Sequence, residues 1–278
     1  MTGDIDLIPF TDFGGEGSII HFSHANGFPP ASYTQLIELL RPNHQIIASH
    51  HRPLWKPTPQ LTEVANWQVF ADDLISFLDA NASEPVYGAG HSMGGVASLV
   101  AAIQRPDLFK AIILIEPVIM PAYLIIPFGL FPAFIKNRIP IMKKALNRPD
   151  IWESQQEAFD FHRTKRVFQK LTDKALWDYI TCATEVNANK EYTLTYSKEW
   201  EARCYSLVPD LWSILDKCSV PVLGIKAEHS DVLIPSAWKR WKRSAPACQF
   251  EEIPETSHLL PLENPKAVAD LILKFTSG

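Results

Sequence analysis

The chain has 278 residues, of which 46% are hydrophobic, and a formal net charge of −5. That is enough apolar material for one large domain, or one domain with an insertion. The mildly acidic balance gives no footing to a polyanion partner such as nucleic acid. Four cysteines (Cys182, Cys204, Cys218, Cys248) lie far apart with no C-x-x-C pair. Metal and redox readings are therefore poor, and reduced thiols in a cytoplasmic protein are the expectation.

The start, Met1-Thr2-Gly3-Asp4-Ile5-Asp6, lacks the basic and apolar regions of a secretory signal. Residues 18–23 predict a strand after a glycine-rich turn, running into the loop His24-Ala25-Asn26-Gly27-Phe28-Pro29-Pro30. Residues 33–40 have helical spacing, and 45–49 predict a second strand. A proline-rich loop opens at His50-His51-Arg52-Pro53. Over 64–78, Val64, Trp67, Phe70, Leu74, Phe77 and Leu78 share one face of an amphipathic helix. Residues 85–89 predict a strand, then Gly90-His91-Ser92-Met93-Gly94 and a small-residue helix over 96–103. Residues 111–115 are a continuous apolar run with β-branched members. Such strands alternating with helices imply a parallel sheet covered on both faces.

The stretch 111–135 imitates a membrane span, but Glu116 and four prolines interrupt it, and a bilayer helix would not survive them. From 118 to about 216 the pattern is helical, as in 152–166 and 173–182, with no good strand. The alternation resumes with a strand at 220–226, a helix holding Trp238 and Trp241, and a strand at 249–253. A last helix covers 265–275, with Asn264 as cap and Pro265 at its first position. The expected organisation is an α/β core of residues 1–117 and 217–278, with a helical cap inserted at 118–216.

Gly90-His91-Ser92-Met93-Gly94 after a strand and before a helix has the context of a nucleophile elbow. A turn this sharp needs small neighbours, and it holds the Ser92 hydroxyl clear at the positive end of a helix. In an open parallel sheet, functional groups gather beyond the carboxyl ends of the strands. Two further loops there carry suitable chemistry. Glu228-His229-Ser230-Asp231 offers two carboxylates, and Glu255-Thr256-Ser257-His258 offers a base. A serine hydroxyl is barely ionised at neutral pH, so it needs a base, and the imidazole needs a carboxylate to hold its tautomer.

Gly90-His91-Ser92-Met93-Gly94-Gly95 resembles the elbow of the α/β-hydrolase superfamily. Ala227-Glu228-His229-Ser230-Asp231-Val232-Leu233-Ile234-Pro235 resembles its acid loop. Ser257-His258-Leu259-Leu260-Pro261-Leu262-Glu263-Asn264-Pro265 is similar to its histidine loop. The resemblance implies an α/β-hydrolase fold, with a mostly parallel sheet flanked by helices and an inserted helical cap. It implies a triad of Ser92, Asp231 and His258, and an oxyanion hole from the backbone N–H groups of Met93 and one residue of loop 24–30. Aligning Asn26-Gly27-Phe28-Pro29 with the family's His-Gly-Phe-Pro form gives Phe28 as that residue. Aligning from His24 gives Asn26, and the first alignment is favoured. The acid loop has one residue more than its common form between Glu228 and Asp231, which keeps Glu228 open beside Asp231.

Other readings are plainer. His91 is expected to pack inside the elbow, His24 to support its loop by hydrogen bonding, and His50, His51 and Arg52 to brace the loop after the second strand. Glu116, at a strand's carboxyl end, is an alternative acid but reads first as a structural carboxylate. Trp238 and Trp241 are three apart, so they share a face and pack inward, leaving the interleaved Lys and Arg in solvent. The apolar residues 118–135 are expected to roof a substrate pocket. The function expected is a serine esterase acting on small to medium apolar esters, with no cofactor, no metal and no transmembrane segment. A homodimer is left open. A lactonase, thioesterase, carbon–carbon bond hydrolase or perhydrolase would use the same triad, and a ligand-binding receptor of the same fold is the alternative outside catalysis. The aspartate nucleophile of epoxide hydrolases and haloalkane dehalogenases is absent, because position 92 is serine.

Overall fold

The computed structural model describes residues 8–121 and 139–277. In chain order the strands are β1 (Phe10–Gly14), β2 (Ile19–Ser23), β3 (Gln45–Ser49), β4 (Val86–His91), β5 (Phe109–Ile115), β6 (Ile151–Trp152), β7 (Thr184–Val186), β8 (Tyr192–Leu194), β9 (Val222–Ala227) and β10 (Gln249–Ile253). Among the described residues, seven form one sheet in the order β1-β3-β2-β4-β5-β9-β10. All neighbours are parallel except β1, which runs antiparallel to β3. Among the described residues, the α-helices of seven residues or more are α1 (Thr34–Leu40), α2 (Gln68–Asn81), α3 (Met93–Gln104), α4 (Pro140–Leu146), α5 (Gln155–Arg163), α6 (Asp173–Ala183), α7 (Lys198–Tyr205), α8 (Pro235–Ser244) and α9 (Pro265–Thr276).

The continuous apolar run of β5 is explained by its place near the middle of the sheet. Ile113 and Ile115 join an apolar layer with Leu36, Ile37 and Leu40 of α1 and Val268 and Ile272 of α9. Ile112 and Leu114 join the opposite layer, with Phe70 and Leu74 of α2, Val96 and Leu99 of α3, and Trp238 and Trp241 of α8. Successive side chains point to opposite faces, so a strand covered on both has no polar position. Burying one such isoleucine contributes about 2–3 kcal/mol.

Three boundaries differ from the sequence expectation. The strand β1 carries no apolar run, because it is an edge strand with partly exposed residues. The helix expected over 64–78 begins only at Gln68, whose N–H is accepted by Asn66 Oδ1 at 3.0 Å. Asn66 thus offers the backbone a local turn in place of helix. Val64 and Trp67 are still buried, ahead of the helix. The insertion also holds an antiparallel sheet, in the order β6-β8-β7, where only helices were expected. Its strands are two or three residues long, too short to print a period-two pattern.

The segment expected as a cap contributes to both core layers. Tyr179 and Leu194 belong to one core layer, and Tyr196 and Trp200 belong to the other. Trp238 and Trp241 are 5% and 1% exposed, each with its ring 5.1 Å from Phe250, so the basic residues between them are left at the surface, as expected. Asn264 caps α9, its Oδ1 accepting the Ala267 N–H at 3.1 Å. Among the described residues no helix is long and apolar enough to cross a membrane. Of the expected roof, residues 122–135 lie outside the described residues.

Candidate active site

The site is built at the carboxyl ends of β4, β5, β9 and β10. Ser92 follows β4 and caps α3 with φ 56° and ψ −116°. A non-glycine residue held there costs on the order of 1–3 kcal/mol, and such strain persists only where the surroundings impose it. The surroundings are tight. A Cβ on Gly94 would lie 2.1 Å from the Ser23 carbonyl oxygen, and one on Gly90 would lie 2.5 Å from the Gly94 oxygen. The Ser92 N–H donates to Ile115 O at 3.0 Å, which locks the turn to β5.

The loop after β10 brings His258 to this serine, with Nε2 3.0 Å from Ser92 Oγ. Glu263 clamps that loop. Its carboxylate accepts the Ser257 N–H at 2.7 Å and the Ser257 hydroxyl. His91 holds it from behind, its Nε2–H donating to the His258 carbonyl at 2.8 Å. Because that nitrogen donates, Nδ1 is the acceptor, and it receives the Tyr33 hydroxyl at 2.8 Å. The Tyr33 oxygen in turn accepts the Ala25 N–H at 3.1 Å. A chain of buried bonds therefore joins the histidine loop to loop 24–30. Burial, followed by repulsion from His258, pushes His91 well below the usual imidazole range and keeps it neutral. The packing residue of the sequence reading is thus also a strut.

The carboxylate at His258 is Glu116, where Asp231 was expected. Glu116 directly follows β5, has φ 48° and is fully buried. Its Oε2 accepts the His258 Nδ1–H at 3.1 Å and the Ser230 hydroxyl at 2.5 Å, and its Oε1 accepts the Ala227 N–H at 2.7 Å. Ser230 fills the space an acid-loop carboxylate would need. Its Oγ also accepts the N–H groups of Val232 and Leu233, at 3.2 and 2.8 Å. The extra residue in this loop thus puts a serine towards the site and turns Asp231 outward, exposed at the rim of the cavity. Glu228 is exposed as well, and its Oε2 accepts the Glu255 N–H at 2.8 Å. The sequence signal for Glu116 is its position, a lone carboxylate ending a wholly apolar strand beside the elbow strand.

Loop 24–30 does not place Phe28 as expected. The Phe28 N–H donates to Ala25 O at 3.2 Å and closes a turn, while its ring packs on Tyr179 with centroids 4.9 Å apart. An amide already bonded inside its own turn is a poor oxyanion donor. Among the described residues the N–H of Asn26 has no partner, and Asn26 and Met93 both line the cavity at Ser92. That cavity measures about 470 Å³. Its other walls are mainly apolar and include Trp67, Val118, Met120, Ile139, Ile141 and Val208.

Below the loop is a set of buried imidazoles. His24 Nδ1–H donates to Ala25 O at 2.9 Å, and its Nε2 accepts the His51 N–H at 3.0 Å. His51 Nε2–H returns to His24 O at 3.0 Å. Arg52 forms a two-pronged pair with Asp73 at 2.7 and 2.8 Å. Burial, with further repulsion from His51, pushes His21 down to about 3, and burial likewise pushes His51 down to about 4. Both are raised to about 6.5 on unfolding, so the unfolded chain binds more protons as the pH falls. Stability is therefore present above pH 6.5 and is lost between pH 6.5 and 4, with a slope of about 1.4 kcal/mol per pH unit for each such group. Urea midpoints measured from pH 7.5 to 4.5 check this, and a flat profile would overturn it.

Among the described residues, Glu228, His229 and Glu255 bring ligand atoms within 4.8 Å of one another, but all three are exposed and Glu228 is already bonded to the Glu255 N–H. They make no case for a metal in the chemistry.

The sequence profile described as "Alpha/beta hydrolase family" matches residues 22–271. An uncharacterised hydrolase of Bacillus subtilis (strain 168), YugF, is 25% identical over 248 residues, covering 88% of this chain and 84% of that protein. Monoglyceride lipase of Rattus norvegicus is 31% identical over 112 residues, but the match covers 38% of this chain and 37% of the lipase. The crystal structure of E-2-(acetamidomethylene)succinate hydrolase superposes with a TM-score of 0.80 at 18% identity, covering 97% of this chain and 94% of that one. That likeness concerns the fold.

Proposed function

This chain belongs to the alpha/beta hydrolase family, and from that premise we propose that it is a serine hydrolase cleaving carboxylic esters through an acyl-enzyme intermediate. The observation that carries the reading is the line of hydrogen bonds from Ser92 Oγ to His258 Nε2 and from His258 Nδ1 to buried Glu116. As the Ser92 oxygen attacks the ester carbonyl, its proton passes to His258 Nε2. The imidazolium that forms is stabilised by the Glu116 carboxylate, which also fixes the tautomer presenting Nε2 as acceptor. The oxyanion is received by the backbone N–H groups of Met93 and Asn26, at the positive end of α3. Each donor contributes roughly 3 kcal/mol to the transition state. His258 then protonates the departing alcohol. A water molecule gives its proton to the same nitrogen and attacks the acyl group, and His258 returns that proton to Ser92 Oγ as the acid is released.

The cavity supports a substrate with an apolar acyl group of moderate size. Its volume lies in the range of small-molecule sites, and among its described lining residues the one carboxylate is that of Asp231 at the rim. Among the described lining residues there is no Lys or Arg, so an anionic acyl chain would be desolvated there without a cationic partner from them, at a cost of several kcal/mol.

The test combines a fluorophosphonate probe with a panel of p-nitrophenyl esters, lactones and thioesters of graded acyl length. Labelling at Ser92 alone, with turnover fastest for esters of short to medium chain, is the expected result. Labelling at another residue would reassign the nucleophile. Tight ligand binding without turnover would favour a receptor, and faster lactone or thioester cleavage would move the activity within the family.

A further inference from the structure

We propose that Tyr196, contributed by the insertion, is a positioning residue that holds the oxyanion donor of the core by gripping the Asn26 side chain. This rests on the reading of the site just given, in which the Asn26 backbone N–H receives the oxyanion.

The need for such a grip follows from the loop itself. A backbone donor stabilises an oxyanion only while it stays aimed at the oxygen, since a hydrogen bond weakens steeply as its angle closes. The neighbours of Asn26 are anchored through the core: Ala25 by Tyr33, and Phe28 by Ala25. Neither bond involves Asn26. What holds Asn26 is its side chain, and both partners come from the insertion. Its Oδ1 accepts the Tyr196 hydroxyl at 2.7 Å, and its Nδ2–H donates to the Glu201 carbonyl at 3.1 Å. Fixing both ends of a planar amide restrains the Cα that carries it, and so limits the swing of the peptide plane in which the main-chain N–H lies.

The insertion is suited to act as the fixed end. Glu201 lies in α7, whose first turn is capped by Ser197, with Oγ accepting the Trp200 N–H at 3.3 Å. A pair between Arg148 and Glu201 at 2.7 Å ties α7 to the segment after α4. Trp67 Nε1–H donates to Cys204 O at 3.0 Å, and Arg203 donates to Val64 O at 2.7 Å, which tie α7 to the core. Tyr196 is 1% exposed. Burial, followed by the neighbouring Cys204, pushes its phenol well above the usual range, so it stays a donor at any working pH. A donor is what Asn26 Oδ1 requires. The insertion therefore does more than wall the pocket, because it completes the oxyanion hole from outside the core.

A double-mutant cycle of Tyr196→Phe and Asn26→Ala tests this. Asn26→Ala keeps the backbone N–H and removes both bonds of the handle, whereas Tyr196→Phe removes one of those same two bonds. Expected is a loss in kcat of about 10- to 100-fold for each single variant, with KM within about threefold. The double variant should be no slower than the slower single, because nothing remains to release. The pH profile should keep its wild-type midpoint, since His258 and Glu116 are untouched. Wild-type kcat in Tyr196→Phe, or losses that multiply, would overturn the proposal. Hydrogen exchange at residues 24–28 supplies a reading independent of turnover. Faster exchange in Tyr196→Phe supports the grip, and exchange unchanged from wild type refutes it. A wild-type protein that hydrolyses no ester would instead refute the functional reading, with the exchange experiment still deciding whether Tyr196 holds the loop.

Discussion

Ser92→Ala is expected to lower kcat on a p-nitrophenyl ester by roughly 10⁴- to 10⁶-fold. Two contributions disappear together: the covalent intermediate, and the proton transfer to His258 that makes the hydroxyl a nucleophile. Residual rate over water would come from the N–H donors and from substrate positioning. Stability should scarcely change. Alanine meets the φ of 56° at position 92 with about the same strain as serine, and the lost bond to His258 is worth only about 1 kcal/mol. Steady-state kinetics beside a thermal melt checks both halves. Turnover near wild type with an unchanged melt would remove Ser92 from the mechanism.

Glu116→Gln is expected to cost roughly 10³- to 10⁴-fold in kcat, and Asp231→Asn less than about threefold. Among the described residues, all partners of the Glu116 carboxylate are donors: the Ala227 N–H on one oxygen, the Ser230 hydroxyl and His258 Nδ1–H on the other. An amide NH₂ placed on either side faces a donor. Facing His258, it drives the imidazole to the wrong tautomer. Facing Ala227, it leaves the end of β9 with an unsatisfied N–H, at about 1–3 kcal/mol. Glu116→Gln should therefore also lower the urea midpoint, whereas Asp231→Asn, exposed at the rim, should not. Kinetics and urea melts of the two variants side by side decide the matter. A larger loss at Asp231 would restore the acid-loop assignment.

Much of this was legible in the chain. The continuous apolar run at 111–115 marked a strand covered on both faces, because burial on both sides disfavours polar residues along the run. The Gly-x-Ser-x-Gly context located the elbow, because only glycine tolerates backbone approaches of 2.1 and 2.5 Å. The histidine loop was legible as a motif, but its clamp, Glu263 reaching back to Ser257, was not. These features are local, so their physical demands are written in consecutive residues. They pointed to Ser92 and His258 as candidates in an α/β fold, and the structure brings the two side chains to 3.0 Å.

Three features depended on how distant segments meet. Whether the acid comes from the end of β5 or the loop after β9 turns on which side chain fills one space beside His258. Ser230 occupies it, 114 positions from the Glu116 it bonds, and that leaves Asp231 in solvent. Whether Phe28 or Asn26 offers a free N–H turns on a turn closed through Ala25. The hold on Asn26 spans 170 positions, from Tyr196 in the insertion. Sequence alone set which chemistry could be assembled, because residue type and strand order are local properties. Tertiary structure decided which carboxylate meets His258 and which amide is left without a partner among the described residues, because hydrogen-bond directions are fixed only when loops from separate strands pack against one another.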